Sequence, residues 1–168
     1  MFISNQGLQI LIEFLNLNYD ENKDLIMLAV DSVLVIYDDQ TNLQIPAEDL
    51  SVILTRMGLL ENLVQVLPKL VSNTENSTNG AEQASAEKFL EKAFDVIQLL
   101  LNGNQEVKVR FCSEQVLNKN IMLIVQNSIN DPGHLTPVIV KRFIKFMQLV
   151  TQSPATYKVS LLNLTIYL

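Results

Sequence analysis

Lys141, Arg142 and Lys145 form the densest cluster of basic side chains in the C-terminal part of this chain of 168 residues. On a helix, positions 141 and 145 stand one turn apart on the same face and 142 flanks them, so the three cations can converge on one phosphate or carboxylate. Lys108, Arg110, Lys119 and Lys158 lie in the same region. Residues 1–103 carry 5 Lys plus Arg against 15 Asp plus Glu, a balance of −10, whereas residues 104–168 carry 7 against 3, a balance of +4. An acidic body with a basic end predicts a phosphorylated or acidic protein segment as ligand, since one phosphate needs only two or three Lys or Arg. A solvated face that keeps helices soluble accounts for the same residues. A pI near 4.7 opposes general attraction to a phosphate backbone, and the basic residues are not interleaved with aromatics, so no nucleic-acid partner is expected.

Other candidates for chemistry lack companions. His134 is the single histidine and follows Pro132-Gly133 near a helix start, where a capping or solvated role fits better than catalysis. Cys112 is the single cysteine, set among Val109 and Phe111 in a helical pattern, and reads as a small core residue. It excludes an intramolecular disulfide, and no Cys/His cluster offers zinc a site; a reducing, intracellular home is the natural expectation. The carboxylate pairs Asp38-Asp39 and Glu48-Asp49 are adjacent on helices, so their side chains point apart and read as solvated helix ends. Tyr19, Tyr37, Tyr157 and Tyr167 read as packing residues. There is no glycine-rich phosphate loop, kinase triplet or nucleophile elbow. The expectation is a protein that is not an enzyme and needs no cofactor or metal.

Helices position all of these residues. A content of 48% apolar and 18% charged residues argues for a packed chain, and the length fits one domain over 1–168 with a sizeable core. The organising stretch is 2–15, FISNQGLQILIEFL, in which Leu8, Leu11, Ile12 and Leu15 share a helical face. Its theme returns at 56–67 (RMGLLENLVQVL, with Gly58 where Gly7 stood), more loosely from Ser113 and again from Thr156. Starts spaced by roughly 40 to 60 residues lie near the armadillo and HEAT range. Between these copies the pattern predicts helices over 21–39, with Leu25, Leu28, Ala29, Ser32, Val33 and Ile36 inward, and over 46–57, opened by Pro46. Gly58 should break the chain before a helix that Pro68 ends or kinks. A long helix follows over 85–101, closed by Asn102-Gly103-Asn104, then a short one over 106–112 and one over 114–129. The turn 130–133 leads to a last apolar face at Ile139, Phe143, Phe146, Met147 and Val150. The polar segment SNTENSTNGAEQAS predicts a disordered surface loop over 73–84. The most apolar stretch, 25–37, is interrupted by Asp31, so no membrane insertion is expected. Two sequons, at Asn76 and Asn163, matter only in a secreted chain.

The stretch FISNQGLQILIEFLNLNYDENKDLIMLAVDSV also resembles the armadillo-like region that follows the kinase domain in fungal mitotic-exit and septation-initiation Ser/Thr kinases and their plant MAP-kinase-kinase-kinase epsilon relatives. Phe2, Ser4, Gly7, Leu8, Leu11, Phe14, Leu15, Tyr19, Asp20, Asp24, Leu25 and the run Ala29-Val30-Asp31 carry the match. It covers about the first 35 residues, and only the aliphatic pattern persists beyond. Within the family the budding-yeast-type mitotic-exit kinase is nearest in pattern. The resemblance implies an accessory region of a multidomain kinase, targeted to the spindle pole body and division site through a scaffold protein, responsive to a Ras-like GTPase and able to self-associate. No kinase motif is present, so kinase activity does not carry over. The apolar ending LLNLTIYL is what excision from a longer protein predicts.

Together these readings predict an all-α, right-handed armadillo/HEAT-like solenoid of about three repeats, cytoplasmic, acting as a protein-interaction and targeting module. Partner contacts fall to the basic cluster. Self-association falls to Leu161, Leu162, Leu164, Ile166 and Leu168, whose apolar surface exceeds what one buried face requires. The alternative is a constitutive homodimerisation domain of the same kinase with no peptide ligand.

Overall fold

The structure, a computed structural model, describes residues 5–39, 45–76, 79–133 and 135–152. Among them every regular element is helical: α1 (Asn5–Leu15), α2 (Tyr19–Asp38), α3 (Ala47–Arg56), α4 (Leu59–Asn76), α5 (Gly80–Asn102) and α6 (Gln105–Phe111) come first. A π-helical segment (Glu114–Met122) then runs into α7 (Leu123–Asn130), and α8 (Thr136–Thr151) follows.

Asparagine punctuates this chain. Asn18, Asn79 and Asn104 accept hydrogen bonds from the backbone N–H two residues on, and so satisfy donors that a helix start leaves open. Gly58 separates α3 from α4 at φ +91°, a left-handed conformation that favours glycine. The break expected there therefore occurs.

Helices pack as repeated units. Short α3 and α6 each open a group of three, namely α3–α4–α5 and α6, the π segment with α7, and α8. The pair α1–α2 stands as the second and third helices of a preceding group. Second helices lie side by side, α1 on α4 and α4 on the π segment, and third helices do the same, α2 on α5 and α5 on α8. The recurring GL-type signature thus marks the second helix of each group, and its copy from Thr156 lies outside the described residues. The fold is an all-α helical-repeat fold.

α5 is the hub, packing on α2, α3, α4, α6 and α8. Phe89, Leu90, Ala93, Phe94, Val96, Ile97, Leu100 and Leu101 are buried along it. Tyr19 stacks on Phe89 with centroids 6.2 Å apart. Phe146 of α8 meets both Phe94 and Phe111 edge to face, at 5.9 and 5.8 Å.

Four expectations need correcting. The loop over 73–84 is, in its described residues, the end of α4 and the start of α5. Thr74 is fully buried with its Oγ1 donating to the Leu70 carbonyl at 2.7 Å, so a polar residue serves as a core position. Pro68 does not end its helix: α4 continues through Leu70, Val71 and Thr74, whose burial outweighs one lost backbone bond. Over 114–129 the first nine residues are π-helical, with the Asn120 side-chain amide donating to the Gln115 carbonyl at 2.6 Å. In α2 the buried set is Tyr19, Ile26, Ala29, Val30, Val33 and Tyr37, leaving Leu28 60% exposed. Asn22 interrupts the helix at φ −128°, and apolar residues surround this helix on every side, so periodicity alone does not fix its phase.

The first correction is testable. Deleting 73–84 and joining the flanks with a Gly/Ser linker should cost about 2 kcal/mol, from the Asn79 cap and the hydrogen-bonded buried threonine together. Urea unfolding checks it, and an unchanged midpoint would restore the loop.

Candidate functional site

α5 and α8 lie against each other in the layer of third helices, and an open groove of about 550 Å³ runs between their outer faces. Lys141, Arg142, Ile144, Lys145 and Gln148 line it from α8, Glu91 and Gln98 from α5. α8 is aimed by its buried stripe: Ile139, Phe146, Leu149 and Val150 face inward, which turns the lysines out. The apolar face expected for this helix holds, with Phe143 and Met147 partly buried on the core.

The three cations are not equivalent. Arg142 Nη1 lies 2.7 Å from Asp95 Oδ1 on α5, so the guanidinium is drawn against the neighbouring helix. Lys141 and Lys145 are exposed and have no ion pair or hydrogen bond among the described residues. An arriving anion therefore meets two open ammonium groups one turn apart, with an arginine behind them that is already held by a carboxylate. Glu91 lines the same groove, which disfavours a diffuse polyanion over one well-placed negative charge.

The wider basic set does not assemble here. Arg110 pairs with Glu61 of α4 on the side of the second helices. Lys108 is half-buried on α6, and Lys119 on the π segment has a partner of its own. Lys158 and the self-association residues Leu161, Leu162, Leu164, Ile166 and Leu168 lie outside the described residues, as does His134. What sequence reading missed is the acidic side of the groove. Glu91 and Asp95 are four apart on one helix face, a visible signal, but only the fold sets them beside α8.

Ion pairs of this kind tie successive groups together elsewhere. Lys92 of α5 reaches Asp31 of α2 at 2.5 Å, and Arg56 of α3 forms a two-pronged pair with Glu106 of α6 at 2.8 and 2.7 Å. Hydrogen bonding and charge from Arg56 hold the Glu106 carboxyl below its ordinary range.

Cys112 and Tyr37 behave as packing groups. Cys112 is 1% exposed, and burial pushes its thiol up to about 11, so the nucleophilic thiolate is disfavoured. Tyr37 is buried with its hydroxyl 2.7 Å from Ser51 Oγ, and burial raises it to about 12. Asp38, Asp39, Glu48 and Asp49 are exposed at helix ends. Among the described residues no group of three or more His, Cys, Asp or Glu side chains could hold a metal ion, and no single helix is long and apolar enough to cross a membrane.

Over 71 residues the chain is 34% identical to the cytokinesis protein sepH of Aspergillus niger, and 32% identical to the proteins of that name from Aspergillus terreus and Emericella nidulans. The match covers 42% of this chain and 5% of each relative's length. No protein-family model and no solved structure matches the chain.

Proposed function

We propose that the chain is a non-catalytic interaction and targeting module with a role in cell division, belonging to a Ser/Thr kinase of the mitotic-exit and septation type. The partial likeness to cytokinesis proteins supports the cell-division role. The repeat fold supports the module, because stacked helices supply extended surfaces for protein segments. In this reading the groove between α5 and α8 receives a phosphorylated segment of a scaffold protein and brings the kinase to the spindle pole body and the division site. A Ras-like GTPase is a further partner in the same pathway of recruitment.

The observation that carries the ligand is the open pair Lys141 and Lys145 on the groove rim. Each charge-assisted bond to a phosphate contributes about 1.5–3 kcal/mol before ordering costs. Reversing both, as Lys141→Glu with Lys145→Glu, should weaken binding of a phosphorylated scaffold fragment more than tenfold with the fold intact. Raised salt should weaken the parent's binding too. Fluorescence anisotropy with phosphorylated and unphosphorylated copies of the fragment measures this. If the parent does not distinguish the two copies, or the double reversal binds as tightly as the parent, the cluster is a solvated face.

A further inference from the structure

The stacked groups supply their own control for the α5–α8 groove, because third helices meet twice, α2 with α5 and α5 with α8. Buried residues set the register. Ala29, Val30 and Val33 of α2 correspond to Ala93, Phe94 and Ile97 of α5, while Phe89, Val96 and Leu100 of α5 correspond to Ile139, Phe146 and Val150 of α8. Asp31 then stands in the place of Asp95, and Lys92 in the place of Arg142.

These four residues form the same rung at both junctions, Lys92 with Asp31 at 2.5 Å and Arg142 with Asp95 at 2.7 Å. A pair that recurs where third helices meet ties the groups together, so Arg142 and Asp95 are committed to the fold. The open charges do not recur. In the same register Lys141 and Lys145 take the places of Glu91 and Asp95, and Glu91 takes the place of Met27, so the α2–α5 junction has neither the two lysines nor the carboxylate at these positions. Glu91 is exposed, and its side chain has no ion pair or hydrogen bond among the described residues. The groove thus offers an occupant two unpaired ammonium groups and one unpaired carboxylate.

We propose that Glu91 is a specificity residue of this groove, selecting phosphorylated protein segments that carry a Lys or Arg close to the phosphate. The proposal rests on the reading of Lys141 and Lys145 given above and adds the second charge that their ligand must bear. A segment with negative charge alone neutralises the lysines but is repelled by the carboxylate across the groove. A basic residue beside the phosphate satisfies both sides, and acidic flanks are rejected by Glu91 as much as basic ones are attracted.

The test uses the whole chain of 168 residues and a peptide library with one fixed phosphoserine among randomised positions, beside the same library unphosphorylated. Selection should enrich phosphorylated peptides with Lys or Arg near the phosphoserine. Glu91→Gln should weaken these peptides about fivefold with an unchanged circular dichroism spectrum, the size expected of one exposed ion pair, and should remove the basic preference. Glu91→Lys should turn the preference from basic to acidic. Asp31→Asn, which changes net charge by the same amount at the other junction, should leave the selection as it was. Enrichment of phosphorylated peptides without a basic neighbour overturns the proposal, as does a basic preference that persists in Glu91→Gln or that Asp31→Asn removes equally; the lysine reading survives all three. If phosphorylated peptides are not enriched over unphosphorylated ones, the lysine reading fails and this proposal falls with it.

Discussion

Replacing Phe146 with alanine should lower the unfolding free energy by about 3–5 kcal/mol, the range for emptying a buried aromatic site. The ring is 1% exposed and touches two others edge to face, Phe94 from α5 and Phe111 from α6. Its loss thus opens a cavity where three helices of two successive groups meet. Those helices are pinned by other contacts and cannot collapse far into the gap, so the cost belongs near the upper end. At about 2–4 °C per kcal/mol for a chain of this size, the thermal midpoint should fall by on the order of 10 °C. Ile144→Ala on the same helix is the control: it is 52% exposed, and its effect should stay within about 0.5 kcal/mol. A Phe146→Ala loss below about 1 kcal/mol in urea unfolding would mean that α8 does not pack on α5 and α6 as described.

Much of this packing is readable in the sequence, and the reason differs from element to element. α8 is readable because most of its apolar residues, Ile144 excepted, fall on one stripe, so the phase of the helix follows from periodicity. α4 and the π segment are readable because each follows a small or capping residue, Gly58 or Ser113, that separates it from the helix before, whereas Gly7, expected in the same role, lies inside α1. α2 has apolar residues all round and a break at Asn22, so its phase depends on which neighbours claim which face. The stretch 73–84 looks like a loop because polar residues dominate it, yet one buried threonine and one asparagine cap suffice to extend two helices through it, while Asn73, Glu75, Ala81, Glu82 and Ala84 are exposed. The basic cluster is readable as a set of residue types, but not as a site. That Arg142 is held by Asp95 while Lys141 and Lys145 stay open follows from the juxtaposition of α5 and α8, which no local pattern encodes.

Gly103 illustrates the same limit and gives a sharp test. Sequence reading assigns it the conformational freedom of a helix-ending glycine, but its φ is −80°, an angle open to any residue. What requires glycine is space. A Cβ built there would stand 2.6 Å from both Cβ and Oγ of Ser51, and 3.2 Å from the Leu100 carbonyl oxygen. Ser51 cannot yield cheaply, because its hydroxyl is shared by Tyr37 of α2 at 2.7 Å and the Ala47 carbonyl at 2.9 Å. The turn between α5 and α6 is therefore seated on a hydrogen-bonded junction that joins α2 to α3. Gly103→Val should displace Ser51 and strain the turn at about 1–3 kcal/mol, with about 1 kcal/mol more for the Tyr37 hydrogen bond. A double-mutant cycle separates the steric cause from a generic loss. Ser51→Gly alone should destabilise by about 1–2 kcal/mol, through helix propensity and the stranded tyrosine hydroxyl. Combined with Gly103→Ala it should recover part of the Gly103→Ala loss, because the atoms that collide are gone, and the coupling should reach about 1 kcal/mol or more. Strictly additive single and double variants in urea unfolding would show that Gly103 is not held against Ser51, and that α2 and α3 are joined by other contacts.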